Sequence, residues 1–316
     1  MDEAARLWVL SPVYLDVESY LVLQQRILAV VPGLGFKPER VRFVAVDDSA
    51  GFDPQIARLQ GVLVHTPPFN LGHQRAIVFG LRSLRRELRD EDVVVTLDAD
   101  GEDQPEDLPR LLAPLLAAPA DLRRVALALR TRRRESLGFK LLYAAFKLLF
   151  VALTGTVIRT GNFAAYRGWT ARRVLFHPHF DLCYSSSLLS MNRPLELVPC
   201  ERGVRYAGQS RMGFLKLTMH GIRMLMPFVD RIAIRALVAF TCAFVFGIAL
   251  AAWVVGVRIF THLAIPGWAT YTLLLVLLLS FVAIGNFVIL FALFSQSQGV
   301  SLGFLDREDR KEDGDA

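Results

Sequence analysis

Through the first two thirds of the chain, short valine-rich apolar runs are separated by amphipathic stretches and turn residues. Residues 7–14 (LWVLSPVY) read as a first strand, with Pro12 marking where the backbone leaves the sheet. Asp16 and Glu18 then open an amphipathic helix to about Val31, which Pro32-Gly33 stops. Residues 41–46 form a second strand ending on Asp47-Asp48-Ser49, and residues 62–65 a short third strand closed by Pro67-Pro68. A helix begins at Asn70-Leu71-Gly72-His73-Gln74 and runs towards Leu88. Val93, Val94 and Val95 then start a fourth strand that ends on Asp98-Ala99-Asp100. Pro105 opens another helix, residues 125–129 form a fifth strand, and residues 195–206 a later one. This alternation predicts an α/β domain whose parallel sheet is covered on both faces.

The pattern then changes. Residues 137–153 (LGFKLLYAAFKLLFVAL) carry one thin polar stripe, Lys140, Tyr143 and Lys147, on an apolar helix. That suits a helix lying in a membrane interface, with a buried core helix as the alternative. Residues 212–226 repeat the design with Lys216, His220 and Arg223, and Pro227 ends it. His220 reads there as a surface residue. Residues 236–257 and 263–295 carry no charge, and each can cross a hydrocarbon core that needs about 20 residues. Arg223, Arg231 and Arg235 precede the first span, which predicts a cytosolic N-terminal domain and returns the tail to the same side.

Composition sharpens this. Apolar residues make up 53% of the 316, and the net charge is +6 although residues 306–316 hold six acids and three bases. The remainder is therefore basic. With no helix-turn-helix, zinc or RNA-binding signature, an anionic membrane surface is the expected partner rather than nucleic acid. Cys183, Cys200 and Cys242 form no metal or redox spacing, and the first residues show no signal-peptide pattern. Both fit a reducing, cytosolic setting.

The candidate chemistry centres on residues 93–109 (VVVTLDADGEDQPEDLP). Side chains two apart on a strand share a face, so Asp98 and Asp100 can converge on one hard cation. In a parallel sheet, ligands bind beyond the C-terminal strand ends. A solvated acidic loop is the alternative. The run DADGEDQPEDLPRLL resembles the D-x-D segment of family 2 glycosyltransferases, in the polyprenyl-phosphate branch typified by dolichol-phosphate mannose synthase. There the usual run is D-A-D-L-Q, and its second Asp and Gln help hold a divalent metal under the donor diphosphate. Here Gly101 and Glu102 stand in place of Leu and Gln. The resemblance implies Asp98, Asp100 and Glu102 as ligands of Mg2+ or Mn2+.

Other segments resemble the same family in the same order. Pro12-Val13-Tyr14-Leu15-Asp16 is similar to P-x-Y-x-E, which implies Tyr14 near the nucleotide base and Asp16 in place of Glu. Asp47-Asp48-Ser49 is similar to V-D-D-x-S, implying that Asp48 reaches the base or ribose. Asn70, Gly72, Ala76 and Gly80 match a helix start whose small residues approach the nucleotide. Arg130 stands where the family has an arginine on acceptor or donor phosphate, and Lys140 near a second basic position; Arg132 to Arg134 otherwise read as a solvated face. Gly161-Asn162-Phe163 takes the place of G-D-F, whose Asp is the proposed base. Asn162 cannot accept a proton. A lipid monophosphate with a second pKa of about 6 is already mostly dianionic at neutral pH, so Asn162 need only orient it. Residues 205–211, from Arg205 to Arg211, resemble R-x-x-G-x-S-K, a phosphate clamp in which Arg211 replaces Lys.

The resemblance thus implies a GT-A (Rossmann-like nucleotide-sugar) domain over residues 1–211, including an interfacial helix at 137–153. A juxtamembrane amphipathic helix at 212–231, two transmembrane helices within 232–296 and an acidic cytosolic tail at 297–316 follow. The implied reaction moves a sugar, with inversion, from a nucleotide-diphosphate sugar to polyprenyl (undecaprenyl) phosphate at the inner face of the plasma membrane. Asp100, Asn162, Arg205 and Arg211 would serve the chemistry, Pro12, Tyr14, Asp16, Asp48 and Asp98 would bind the donor, and Arg130 would receive the acceptor. A homo-oligomer through the transmembrane helices is left open. The rival readings are a processive polysaccharide synthase, which lacks support because no Q-x-x-R-W run occurs, and a degenerate non-catalytic membrane scaffold.

Overall fold

The computed structural model describes residues 5–130, 137–191, 193–206, 214–261 and 267–297. It divides into two compact units, Met1–Leu148 with Val157–Pro227, and Leu149–Thr156 with the chain from Phe228 onward.

In the first unit, β1 (Leu7–Val13) is buried along its whole length because it lies inside the sheet, with a strand on either side. It pairs in parallel with β2 (Val41–Asp47) and β4 (Val93–Thr96), and β2 pairs with β3 (Val62–His65). The other half holds β5 (Val125–Arg130), β6 (Thr160–Arg167) and β7 (Leu195–Cys200), giving the order β3-β2-β1-β4-β6-β5-β7. Helices α1 (Val17–Val30), α2 (His73–Leu84) and α3 (Leu108–Ala117) supply apolar faces to the sheet. Asp16 caps α1 by accepting the Ser19 amide hydrogen at 3.4 Å.

Three features depart from the sequence reading. The sheet is mixed, because β6 runs antiparallel to both β4 and β5. Its Gly161-Asn162 pair and its paired alanines carry little strand propensity, which hid it. The strand expected at 195–206 ends at Cys200; residues beyond it change partner and bond to the loop after β4, through Gly203 N–H to Glu102 O at 2.8 Å and Tyr206 N–H to Asp100 O at 2.9 Å. Thirdly, Gly80 serves the sheet rather than a ligand: a Cβ there would lie 2.6 Å from Val46 and 2.7 Å from Leu10.

The chain continues through α4 (Leu137–Thr154), α5 (Gly168–Val174), α6 (Tyr184–Ser190) and α7 (Phe214–Leu225). α7 buries Met224 and exposes Met219 and Ile222, and its Gly221 lies close against the Phe146 ring.

The second unit contains α8 (Val229–Phe260) and α9 (Trp268–Ser297), both long and apolar enough to cross a membrane. Trp253 meets Trp268 edge-on at 6.0 Å, and Gly247 faces Ser280 and Val276, so the two helices pair antiparallel. Many of their described apolar side chains, among them Phe246, Leu277 and Phe281, are exposed, as lipid-facing residues are, whereas Val254 is buried. Two of the arginines ahead of the span also hold structure: Arg231 donates to Thr156 Oγ1, and Arg235 to the carbonyls of Val151 and Ala152. Val151 O already accepts the Gly155 amide at 2.8 Å, so Arg235 adds a second donor there and a cation at the negative end of the α4 dipole.

One buried carboxylate ties the sheet's other edge together. Asp92 is fully buried and accepts from the Arg6 amide at 3.0 Å, the Arg6 guanidinium at 2.8 Å, Trp8 Nε1 at 2.9 Å and the Arg89 amide at 3.0 Å. Burial opposes its charge, but these donors prevail and hold its pKa below the ordinary carboxylate range. A lowered folded pKa contributes stability that is present above the unfolded value and is lost as pH falls through the folded one. Asp92→Asn should therefore cost about 3 kcal/mol at neutral pH. The difference from wild type should shrink as pH drops below the ordinary carboxylate range, as read by thermal melts across pH.

Candidate active site

Parallel strands β1, β2 and β4 end on the same edge, and the chain's candidate site residues Asp48, Asp98 and Asp100 follow them there. Leu97 follows β4, after which Asp98 to Asp100 form a turn rather than the end of the strand. The reason is local: the Asp98 amide donates to Asp103 Oδ2 at 3.1 Å instead of to a neighbouring strand, and Asp100 Oδ1 accepts the Glu102 amide at 3.0 Å. Gly101 is needed twice over. Its φ is +90°, and a Cβ would sit 2.7 Å from the Tyr206 ring.

The acids are shared among distant segments. Asp98 Oδ1 contacts His73 Nε2 at 2.6 Å and accepts from Asn162 Nδ2 at 3.1 Å. Asp100 Oδ2 pairs with the Arg205 guanidinium at 3.0 Å. Glu102 is held by two arginines, Arg205 Nε at 2.9 Å and Arg202 at 2.5 Å. Both Glu102 oxygens are therefore taken up by guanidinium, and among the described residues no three His, Cys, Asp or Glu side chains are grouped to hold a metal. Asp100 is engaged on both oxygens as well, Oδ1 by the Glu102 amide and Oδ2 by Arg205. Burial, then the charges of Asp98 and Glu102, push the Asp100 pKa above its ordinary value. Glu102 goes the other way: burial opposes its charge, but Arg205 and Arg202 hold it low. Burial also opposes a charge on His73, yet Asp98 outweighs it and raises the imidazole pKa.

The residues assigned to the nucleotide divide. Asp48 is buried, and its carboxylate is consumed by the Leu71 amide at 2.7 Å, the Gly72 amide at 3.0 Å and Asn70 Nδ2 at 3.3 Å. It shapes the loop before α2 instead of pointing outward. Asp16 is the α1 cap, and Pro12 is buried within β1. Tyr14 does face an open cleft of about 360 Å³, with Leu15, Ala50, Phe52, Pro68 and Phe69 around it. Phe52 is 84% exposed and Phe69 61%, and sequence reasoning passed over both. Leu15 at φ +51° and Ala50 at φ +59° are the positive-φ non-glycine residues among the described ones, and both line this cleft. Backbone held in that region concentrates at ligand sites.

Asn162 lies in β6, buried, with its backbone carbonyl accepting from Thr96 Oγ1 at 2.7 Å. Thr96 meets Tyr184 OH at 2.7 Å, which in turn donates to Tyr166 OH at 3.0 Å. Gln74 Nε2 donates to Asn162 Oδ1. His220, expected as a surface residue, is half-buried in α7. Arg130 closes β5 opposite Cys200. Arg211 and Arg132 to Arg134 lie outside the described residues, as does the Lys140 side chain.

Comparison with known proteins bears on this arrangement. The family described as glycosyl transferase family 2 matches residues 9–168. The undecaprenyl-phosphate 4-deoxy-4-formamido-L-arabinose transferase of Pectobacterium carotovorum subsp. carotovorum (strain PC1) is 31% identical over 166 residues, covering 49% of this chain and 46% of that protein. The chain thus matches about half the length of this curated relative. Among solved structures, mannosyl-3-phosphoglycerate synthase from Rubrobacter xylanophilus has 17% identity and a TM-score of 0.49, covering 72% of this chain and 74% of that one. Mannose-1-phosphate geranyltransferase from Thermus thermophilus has 15% identity and a TM-score of 0.35, covering 58% and 63%. Because the family match spans half of the chain and takes in the strand ends that carry Asp48, Asp98, Asp100 and Asn162, this chain belongs to glycosyl transferase family 2.

Proposed function

We propose that the protein transfers one sugar from a nucleotide-diphosphate sugar to a polyprenyl phosphate, with inversion, at the cytosolic face of the plasma membrane. The observation that carries this reading is an acidic strand edge where His73 contacts Asp98 and Arg205 pairs with Asp100, in a domain that also opens an aromatic cleft around Tyr14. An acidic pair and a cation suit a diphosphate with its metal, and the cleft suits the base. The relative's undecaprenyl-phosphate acceptor supports a lipid acceptor, as do two apolar helices in the same chain. Arg223, Arg231 and Arg235 ahead of the first span support the cytosolic orientation. The exposed apolar residues of α4 and α7 suit contact with a bilayer surface.

The donor set fits a divalent ion. Asp98 and Asp100 offer hard oxygens, and the raised Asp100 pKa reports burial and crowded negative charge that Mg2+ or Mn2+ would relieve. When bound, such an ion offsets charge on the departing nucleotide diphosphate. The chain's own groups do the rest. Arg205 exchanges its carboxylates for donor phosphate, and Arg211 and Arg130 are assigned to phosphates by their sequence positions. The acceptor phosphate, a dianion above a pKa of about 6, forms the new bond to the anomeric carbon as the bond to the nucleotide diphosphate breaks. Asn162 keeps one amide hydrogen for that acceptor.

A panel of nucleotide sugars with undecaprenyl phosphate and Mn2+ tests the reading by product mass. One donor should give a lipid product heavier by one sugar, with stoichiometric nucleoside diphosphate. Nucleotide release without lipid product from every donor would refute acceptor transfer. Asp100→Asn should lower kcat by at least about 100-fold. Glu102→Gln should leave the Mn2+ half-activation concentration within about threefold of wild type, because its oxygens serve arginines. Equal loss of Mn2+ response in both variants would make Glu102 a ligand after all. In the cleft, Phe52→Ala or Phe69→Ala should raise donor KM about tenfold with kcat little changed, the size of one lost base-stacking contact.

A further inference from the structure

We propose that Gln74 is a positioning residue that fixes the side-chain amide of Asn162, turning Nδ2 rather than Oδ1 towards Asp98. The inference rests on the reading of Asp98 as part of the donor site and adds a residue that the sequence motifs left unassigned.

The argument follows one chain of hydrogen bonds whose direction is set at its start. The Ser185 backbone amide, in the first turn of α6, donates to Gln74 Oε1 at 3.1 Å, and Cys183 Sγ also donates to that oxygen at 3.7 Å. A backbone N–H can only donate, so this end of Gln74 must be its carbonyl. The NH2 group then faces Asn162 and donates to Oδ1. Asn162 must in turn present Nδ2 to Asp98 Oδ1, at 3.1 Å. The Asn162 backbone is held independently by Thr96 Oγ1 at 2.7 Å, so the amide has little freedom except to flip. Asp98 only accepts and so calls for the same orientation; Gln74 holds it from the other end of the amide.

The same polarity suits the asparagine that this chain carries at the position. An aspartate at 162 could accept from Gln74, but its second oxygen would meet the Asp98 carboxylate as a like charge. Gln74 and Asn162 form a matched pair in which an amide relays a donor to Asp98. His73, the neighbour of Gln74 on α2, approaches the same Asp98 oxygen, so one helix end supplies both contacts to the acid, one direct and one through Asn162.

An isosteric exchange tests this. Gln74→Glu keeps an acceptor for the Ser185 amide but offers a second acceptor to Asn162, whose amide should turn and present Oδ1 to Asp98. Expected is a fall in kcat of about tenfold, the worth of one hydrogen bond to a charged group, with donor KM within about threefold. Mn2+ affinity, read by electron paramagnetic resonance without donor, should rise about threefold or more, because Asp98 loses a competing donor and gains a neighbouring carbonyl. Slower turnover with tighter metal binding is a pattern that a loosened fold does not give. In an Asn162→Ala background the same exchange should change neither quantity by more than about twofold. Equal effects in both backgrounds, or wild-type values in Gln74→Glu, would overturn the proposal. Should Gln74→Glu not fold, Gln74→Met enters the same cycle, and its kcat loss must likewise vanish without the Asn162 amide. If the wild-type protein transfers no sugar at all, the donor-site reading falls, while the Mn2+ titration still decides the amide's direction.

Discussion

Like charge crowded at the end of one strand is the constraint that the rest of the molecule answers. Asp98, Asp100, Glu102 and Asp103 lie within six residues, and two carboxylates about 4 Å apart at an effective dielectric of about 20 repel by about 4 kcal/mol. No local segment could neutralise that. The fold brings His73 from α2, the Asn162 amide from β6, and Arg202 and Arg205 from the chain beyond β7. These groups converge at this edge of the sheet, so the site and the topology are one problem.

The mixed sheet is part of the solution. With β6 running against β4, the start of β6 lies beside the end of β4, and Thr96 pairs with Ala164. Residues leaving one strand thereby face residues entering the other, which is how Asn162 reaches Asp98. A parallel neighbour would have offered its own C-terminal end instead. Gly80 adds a second condition, since α2 can carry His73 and Gln74 to the edge only by lying close on Val46 and Leu10.

Much of the frame was legible in sequence, and the reason is local chemistry. Val93 to Val95 and Val41 to Val46 announce buried strands through β-branched and apolar runs, and Asp16 announces a helix start. The D-x-D run announced the site. What stayed hidden depends on partners far away in sequence. The amides of Leu71 and Gly72 donate to Asp48, and Arg202, one hundred residues after Glu102, pairs with it; neither partner can be read from the local run. Phe52 and Phe69 sit in loops without periodicity, and nothing in their neighbours said that they rim a cleft. β6 was hidden by alanines, which pack well in an interior strand but do not advertise one.

Arg205 has a further consequence. Its guanidinium is already engaged, with Asp100 on one side and Glu102 on the other. Under the proposed reading, a diphosphate arriving there would not meet a waiting positive charge; it would take over a cation that the protein has been neutralising itself. Entry would then be an ion exchange, in which one set of counter-ions replaces another, and such a site would gain little net electrostatic attraction for its occupant. By the same symmetry, Asp100 and Glu102 would be in place to reclaim the arginine when the spent nucleotide left.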